Sequence, residues 1–364
     1  MRVLHVITGL GQGGAETMLA KLVEALPGIA HVVVPLTRDL ALAPRLAAAG
    51  AALEPIGTRT PFAVSGAVAR LAGLIRRHRP DVIQSWLYHA DLAATLARGA
   101  ACSPAPLVWS LRCSDMDLAR YAATTRLVLS TLTRLSAVPA VVASNSEAGL
   151  AWHRRLGYRP RRATVIPNGF DTDRFRPDPG ARARLLAMLG WPEEAVVVGL
   201  VARVDPMKDH AGFLAALART QPPLRAVLVG RGTEALAVPP ALESRVAALG
   251  AREDIPALTA GFDIACLASR FGEGFPNVLG EAMACGVPCV TTDVGDAAAI
   301  VDGAGIVVRP GDPATLAEGL ADLAQDPARR RALGEAGRAR VLAEFALPAV
   351  ASRYAALWRE VASG

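Results

Sequence analysis

Phe271-Gly272-Glu273-Gly274-Phe275-Pro276-Asn277-Val278-Leu279-Gly280-Glu281 sets two carboxylates eight positions apart, with glycines, a proline and an asparagine between them. An apolar run, Asp263 to Ala268, comes before it, and a helix-forming run, Asn277 to Cys285, comes after. The pattern reads strand, loop, helix. Glu273 then lies on a loop at the carboxyl end of a strand, and Glu281 one turn inside the following helix. In open α/β sheets that end of the strands is where ligands bind. Gly272 and Gly274 admit a ligand close to the backbone. Asn277 is the candidate N-cap, and the N–H groups of that helix start favour an anion. Carboxylates accept hydrogen bonds from sugar or ribose hydroxyls and amides hold phosphate, so the stretch suits a ligand that carries both. The competing reading is a loop with two solvated glutamates.

The same alternation extends in both directions. Strands are expected near 2–8, 31–36, 52–56, 81–85, 106–112, 140–144 and 163–167, with helices near 13–26, 39–49, 64–78, 89–99, 117–137 and 146–156. Further on, strands are expected near 195–203, 225–230, 245–249, 263–268, 288–292 and 305–309. Their helices fall near 208–219, 255–260, 277–285, 313–324, 327–343 and 347–361. Strands separated by helices at every step make a parallel doubly wound sheet. The run Ile166-Pro167-Asn168-Gly169-Phe170-Asp171-Thr172-Asp173-Arg174-Phe175-Arg176-Pro177 interrupts the pattern and marks a domain boundary.

At 364 residues, 52% of them hydrophobic, the chain has room for two packed α/β domains and is not disordered. Its formal charge of +6 favours anionic ligands, and admits peripheral contact with an anionic membrane. Clusters at Arg76-Arg77-His78-Arg79 and at Arg154, Arg155, Arg159, Arg161 and Arg162 are as well explained as solvated helix ends. No run of like charge is long enough for a nucleic-acid arm, so no nucleic acid is expected. Five cysteines without paired spacing exclude a disulfide framework and a zinc site; Cys266 and Cys289 read as buried free thiols. The N-terminal strand is too short for a signal peptide, and no apolar run reaches transmembrane length. A cytoplasmic protein is the expectation.

Glu273-Gly-Phe-Pro-Asn-Val-Leu-Gly-Glu281, followed by Ala282-Met283-Ala284-Cys285-Gly286-Val287-Pro288, resembles the E-x7-E motif of the retaining GT-B glycosyltransferases of glycosyltransferase family 4. The resemblance covers essentially the whole chain and is strongest from 165 to 310. The 166–177 run is similar to the family's linker, with Phe170 in place of a valine. The resemblance implies a GT-B fold, two Rossmann-like doubly wound parallel-sheet domains facing across a cleft. The domains are then 1–167 on the acceptor side and 168–346 for the nucleotide sugar, with 347–364 as the candidate helix crossing back. It also implies transfer of a sugar from a nucleotide diphosphate donor, a UDP-sugar favoured, to a glycan or lipid-linked acceptor in cell-surface polysaccharide or glycolipid assembly. No cofactor and no metal are implied. Transfer on the front face lets the leaving phosphate help deprotonate the incoming hydroxyl, so no protein nucleophile is needed.

The resemblance also distributes roles. Glu273 contacts the donor sugar and Glu281 the ribose, with Gly274, Phe275, Pro276, Asn277 and Val278 lining the donor between them. Arg203 and Lys208, five positions apart across a strand–helix turn, fit one diphosphate. Read alone, they would pair with Asp205 or Asp209. Gly9-Leu10-Gly11-Gln12-Gly13-Gly14 matches G-x-G-x-x-G, a weak signal for a dinucleotide because Asp39 falls late. Under the resemblance this loop faces donor phosphates and acceptor, with Gly13 and Gly14 approached most closely; Glu16 is structural or touches the acceptor. Gly230 lies in the turn beside the nucleotide, and Arg252 and Ile255 lie where backbone reads the base. His89, near Tyr88 and Asp91, is a candidate for sugar contact, or else His89 or Asp91 caps a helix. Asp115-Met116-Asp117 and Asp171-Thr172-Asp173 spell D-x-D, but neither ends a strand as metal binding requires. Arg112 stands where many members have a histidine, so it either selects an anionic sugar or acceptor or pairs with Asp115 or Asp117. A nucleotide-sugar epimerase and a non-catalytic nucleotide-sugar-binding protein are the alternatives. A donor-only incubation separates the first, and the joint presence of Glu273, Glu281, Arg203 and Lys208 argues against the second.

Overall fold

The computed structural model of the chain describes residues 1–11, 13–58, 64–114, 122–221 and 223–364. They fall into two compact units, Met1–Gly169 together with Leu347–Gly364, and Phe170–Ala346. The divide lies inside the Pro167-Asn168-Gly169-Phe170 run, after Gly169 and not after residue 167.

The first unit carries a seven-stranded parallel sheet: β1 (Arg2–Ile7), β2 (Ala30–Pro35), β3 (Ala52–Leu53), β4 (Val82–Trp86), β5 (Leu107–Leu111), β6 (Val141–Ser144) and β7 (Ala163–Val165), in the order β3-β2-β1-β4-β5-β6-β7. Between the strands run α1 (Gly14–Ala25), α2 (Ala43–Ala48), α3 (Val64–His78), α4 (Tyr88–Ala100), α5 (Ala123–Leu135) and α6 (Glu147–Arg155). Helix α2 starts later than the expected 39–49 because Leu10 and Asp39 are stitched together. The Leu10 N–H donates to the Asp39 carbonyl (2.7 Å) and the Leu42 N–H to the Leu10 carbonyl (2.8 Å). The start of the helix expected at 117–137 lies outside the described residues.

The second unit carries a six-stranded parallel sheet: β8 (Val196–Val201), β9 (Leu224–Val229), β10 (Val246–Ala248), β11 (Ile264–Leu267), β12 (Cys289–Thr292) and β13 (Gly305–Val308), in the order β10-β9-β8-β11-β12-β13. Its helices are α7 (Ala181–Leu189), α8 (His210–Arg219), α9 (Ile255–Ala260), α10 (Asn277–Ala284), α11 (Ala297–Val301), α12 (Pro313–Gln325) and α13 (Pro327–Arg340), and the last passes into a π-helical turn, Val341–Phe345. Helices α7 and α11 were not expected. Gly180 before α7 and the left-handed Gly190 after it (φ 63°) are the start and stop signals that sequence reading passed over. In both sheets the strand order reverses direction at one point, between β1 and β4 and between β8 and β11. A parallel sheet opens a crevice at the carboxyl ends of those strands.

The last helix, α14 (Leu347–Ser363), belongs to the first unit. Trp358 is fully buried against the edges of the His5 and His31 rings (5.5 and 6.2 Å between centroids), and its Nε1 donates to Gln84 Oε1 (3.0 Å). His5 Nε2 and His31 Nδ1 share a hydrogen bond of 3.0 Å. Arg112 ties the same helix to the sheet. Its guanidinium donates to Ser110 Oγ (2.9 Å), Asn168 Oδ1 (2.7 Å) and Tyr354 Oη (2.8 Å), and lies 4.5 Å from the Trp86 ring centroid. These partners are neutral oxygens and an aromatic face; Asp115 and Asp117, the partners weighed from sequence, lie outside the described residues. Burial lowers the pKa of Arg112 from its ordinary value.

Burial also holds the pKa values of His5, His31 and His153 below the ordinary imidazole range, that of His153 at about 4. The fold therefore prefers these rings neutral. Stability is fully present above the unfolded value near 6.5 and is lost as pH falls toward the folded value. For His153 alone the full loss is on the order of 3 kcal/mol. Chemical denaturation of the first unit should shift to lower midpoints between pH 7.5 and pH 4.5, and His153→Gln should flatten part of that slope. Equal midpoints at both pH values would contradict the assignment.

Candidate active site

Two segments meet at the reversal point of the second sheet. The segment after β8 brings Arg203 and Lys208, and the segment after β11 brings Ser269 and Glu273. Lys208 sits on a single 3-10 turn, Pro206–Lys208, which Asp205 caps by accepting the Met207 N–H (2.9 Å). Lys208 Nζ donates to Glu273 Oε1; Glu273 is buried and Lys208 half-buried, with side chains 9% and 14% exposed. Ser269 Oγ donates to the same oxygen (2.6 Å) from a fully buried position. Thr292 Oγ1, at the end of β12, holds the Ser269 carbonyl (2.6 Å). The Asp296 N–H holds the Gly274 carbonyl (2.9 Å). A buried carboxylate is costly unless charge and hydrogen bonds compensate it, and here one ammonium and one hydroxyl do so.

Arg203 takes a partner that its spacing suggests, Asp205, whereas Lys208 takes Glu273 in place of Asp205 or Asp209. Arg203 meets Asp205 (3.2 Å) and is about half exposed, with its side chain at 51%. Arg203 and Lys208 thus start from separate carboxylates. The turn after β9 packs on the same segment. Gly230 (φ 143°) donates its N–H to the Gly250 carbonyl (2.7 Å), and a side chain there would overlap the Ala202 carbonyl. The Val204 N–H donates to the Arg231 carbonyl (2.9 Å). Gly230 is thereby fixed beside Arg203.

Helix α10 carries the second glutamate. Asn277 is its first helical residue and Pro276 stands at the cap (φ −70°), so the expectation of an Asn277 N-cap is corrected by one position. Proline has no N–H to leave unpaired there. Glu281 is half-buried and borders a cavity of about 10 Å³ with Val201, Thr259 and Val278. Phe170 is fully buried, stacked on Phe275 (6.1 Å, 21°), and its N–H donates to the Phe345 carbonyl (2.8 Å). Gly280 is the position on α10 where any side chain would enter the Phe170 ring. The phenylalanine that replaces valine in the linker is thus the platform beneath the helix that carries Glu281. Arg252 is committed to Asp254 by a bidentate pair (2.8 and 2.7 Å), and Ile255, partly buried, opens α9.

At the reversal point of the first sheet, the Gly9–Gly14 loop follows β1 and the Leu87–His89 turn follows β4. Gly13 caps α1 and Gly14 is its first residue. The Asp39 carboxylate lies against Gly11 and the Glu16 carboxylate against Gly13. Burial raises the Glu16 pKa, with Asp39 adding to the rise and Arg112 opposing it. Two carboxylates repel phosphate and accept hydroxyls, so this loop is chemically closer to a hydroxyl site than to the phosphate cradle expected. Gln12 lies outside the described residues. His89 occupies the first turn of α4, and burial lowers its pKa. Neither His89 nor Asp91 caps that helix: Leu87 is at the cap, and Asp91, fully buried, accepts from Ser85 Oγ (2.6 Å). Of the D-x-D segments, Asp171 accepts the N–H groups of Asp173 (3.2 Å) and Arg174 (3.0 Å) in a turn, and 115–117 lies outside the described residues.

Sequence reading missed Ser269 and Asp39 at these sites. For Ser269 the only signal was a polar residue just past an apolar strand. A family model described as Glycosyltransferase Family 4 matches residues 12–174, and one described as Glycosyl transferases group 1 matches residues 195–326, together most of the chain. The chain belongs to glycosyltransferase family 4.

The putative glycosyltransferase EpsF of Bacillus subtilis is 29% identical to this glycosyltransferase over 365 residues, 93% of this chain and 89% of that protein. The D-inositol 3-phosphate glycosyltransferase of Thermobispora bispora is 34% identical over 221 residues, 55% of this chain and 51% of that protein. With that relative and several others the chain shares about half of their length. The crystal structure of Anabaena HepE in complex with UDP matches with a TM-score of 0.86 at 25% identity, over 99% of this chain and 100% of that one. The fold of this family 4 glycosyltransferase is GT-B, with two Rossmann-like units.

Removing one partner of the Lys208–Glu273 pair strands the other charge. Lys208→Met and Glu273→Leu should each destabilise the second unit by about 3–5 kcal/mol. The double variant should lose much less than their sum. Urea unfolding of the two single variants and the double variant measures the coupling. Additive losses would show that the pair is not the compensation described.

Proposed function

We propose that this enzyme transfers a sugar from a nucleotide diphosphate donor, a UDP-sugar favoured, with retention of anomeric configuration and without a metal. The acceptor is a glycan or a lipid-linked saccharide of cell-surface polysaccharide or glycolipid assembly. The work is done in the cytoplasm with peripheral contact to the membrane. The observation that carries the reading is the Lys208–Glu273–Ser269 cluster at the carboxyl end of the second sheet, its glutamate and serine buried, with Arg203 beside it. Anabaena HepE, which shares the fold over its whole length, was crystallised with UDP and with UDP-glucose, which supports a uridine donor. A relative from Mycolicibacterium smegmatis is named as GDP-mannose-dependent, at 36% identity over 198 residues, 48% of this chain and 50% of that protein.

In this reading Arg203 and Lys208 take the two phosphates and stabilise the charge that develops on the leaving diphosphate. Lys208 exchanges Glu273 for phosphate when the donor arrives, which leaves the Glu273 carboxylate to accept from the sugar hydroxyls. Glu281 accepts from the ribose. The 274–278 backbone lines the donor, with Gly230, Arg252 and Ile255 around the base. On the first unit, Glu16 and Asp39 receive acceptor hydroxyls beside Gly13 and Gly14, with His89 as a further sugar contact. The leaving phosphate takes the proton of the incoming hydroxyl, so no side chain acts as nucleophile. Arg112, held by Asn168 and Tyr354, positions the first unit and is left out of the reacting set.

Glu281→Ala should weaken UDP and UDP-sugar alike, by about 10- to 100-fold, the cost of about 1.5–3 kcal/mol for a lost charged hydrogen bond. Glu273→Ala should cut turnover while UDP affinity stays within a few-fold. Isothermal titration beside a transfer assay reads both. Equal losses of UDP affinity in the two variants would overturn the division of roles.

Arg203→Ala should lower kcat by about 10²-fold or more, and turnover of the unaltered enzyme should survive a chelator. Activity that vanishes in EDTA and returns with manganese would refute the metal-free mechanism.

A further inference from the structure

Residues 122–165 hold seven arginines against a single glutamate, a surplus equal to the formal charge of the whole chain, +6. All seven arginines are exposed. Arg162 is committed to Glu360 by two bonds (2.6 and 2.8 Å). Among the described residues the other six make no ion pair. Arg159 donates to the carbonyls of Arg154 (3.0 Å) and Tyr158 (2.9 Å), and Arg134 leans on Ser130 Oγ (3.4 Å), all neutral acceptors. Their charge is therefore uncompensated.

Five of these arginines edge two neighbouring hollows at the β7 side of the first sheet. One, about 320 Å³, lies on α5 between Arg126 and Arg134. The other, about 380 Å³, lies among Arg154, Arg159 and Arg161. The Arg159 N–H donates to Ser136 Oγ (2.8 Å), which joins the end of α5 to the turn after α6 in one surface. Next to Arg126 stands Leu127, 68% exposed, while Val128, Leu129 and Leu132 fill the buried face of α5. Guanidinium groups fork onto phosphate. A single-stranded nucleic acid would also ask for exposed aromatic rings, and the aromatic side chains here, Trp152 and Tyr158, are buried. Arginines around an exposed leucine on an amphipathic helix match a headgroup layer over acyl chains.

We propose that this face docks on an anionic phospholipid bilayer, with Arg126, Arg134, Arg154, Arg159 and Arg161 on lipid phosphates and Leu127 in the headgroup boundary. The proposal locates the membrane contact of the reading above and uses no residue of the transfer site, so the two fail separately. The test is sedimentation of the full chain with vesicles of phosphatidylcholine alone or mixed with phosphatidylglycerol, at about 0.15 M salt. Binding should rise at least about tenfold with the anionic lipid and fall as salt is raised. The triple variant Arg126→Gln, Arg154→Gln, Arg161→Gln should lose about 10²-fold of it, with its unfolding midpoint and UDP affinity unchanged. Leu127→Ser should weaken it a few-fold without altering the salt dependence. Inorganic phosphate at matched ionic strength should displace no more protein than sodium chloride does. Equal binding to both vesicle types, no binding to either, an unaffected triple variant or specific displacement by phosphate would each overturn the proposal.

Discussion

A carboxylate taken out of water has to be answered by a positive charge, and in the second unit that requirement falls on Glu273 and is met by Lys208. Much of the local structure serves to keep that answer in place. Asp205 shapes the turn that presents the lysine, Thr292 anchors the backbone of Ser269, and the Asp296 N–H fixes the far side of the glutamate loop. Phe170 and Gly280 set how close α10 can come. Under the proposed function a donor diphosphate offers Lys208 a stronger partner than one carboxylate oxygen, which makes the pair a resting arrangement.

The first unit handles charge in another way. Arg112 is surrounded by a serine hydroxyl, an amide oxygen, a tyrosine hydroxyl and the face of Trp86. Oriented dipoles and a ring quadrupole solvate the guanidinium without neutralising it. Its field reaches Glu16, where it opposes the effect of burial. An arginine that looks from sequence like a selector of negative ligands is, in the fold, a fastener whose charge still tunes the carboxylate next to the glycine loop.

The inner strands were legible in the sequence where they are buried on both faces, as β8 (Val196–Val201) and β11 (Ile264–Leu267) largely are, and so read as apolar runs. The two candidate glutamates, Glu273 and Glu281, were legible because strand, loop and helix follow one another without interruption from Ile264 to Ala284. What was not legible is pairing across distance. Lys208 and Glu273 are 65 residues apart, and nothing in either neighbourhood points to the other. Arg203 and Lys208 look like one cationic unit because they are close in sequence, yet Asp205 and Glu273 divide them. Asp39 was judged only as the acid of a dinucleotide site, for which it falls late, and residue count did not show that loop geometry returns it to Leu10. The Asn277 cap slipped by one residue for the ordinary reason that helix ends depend on local dihedrals.

Helix α14 follows the second unit along the chain yet belongs to the first. Trp358 fills a place against His5, His31 and Gln84 that no earlier residue occupies. During synthesis the first unit therefore emerges with an open seam in its core, and it stays open while the whole second unit is translated. The second unit has its complete sequence before the first does. The ribosome thus completes the two halves in the reverse of their order along the chain, and a nascent chain released early would expose the apolar bed of the missing helix to whatever chaperone or protease is near.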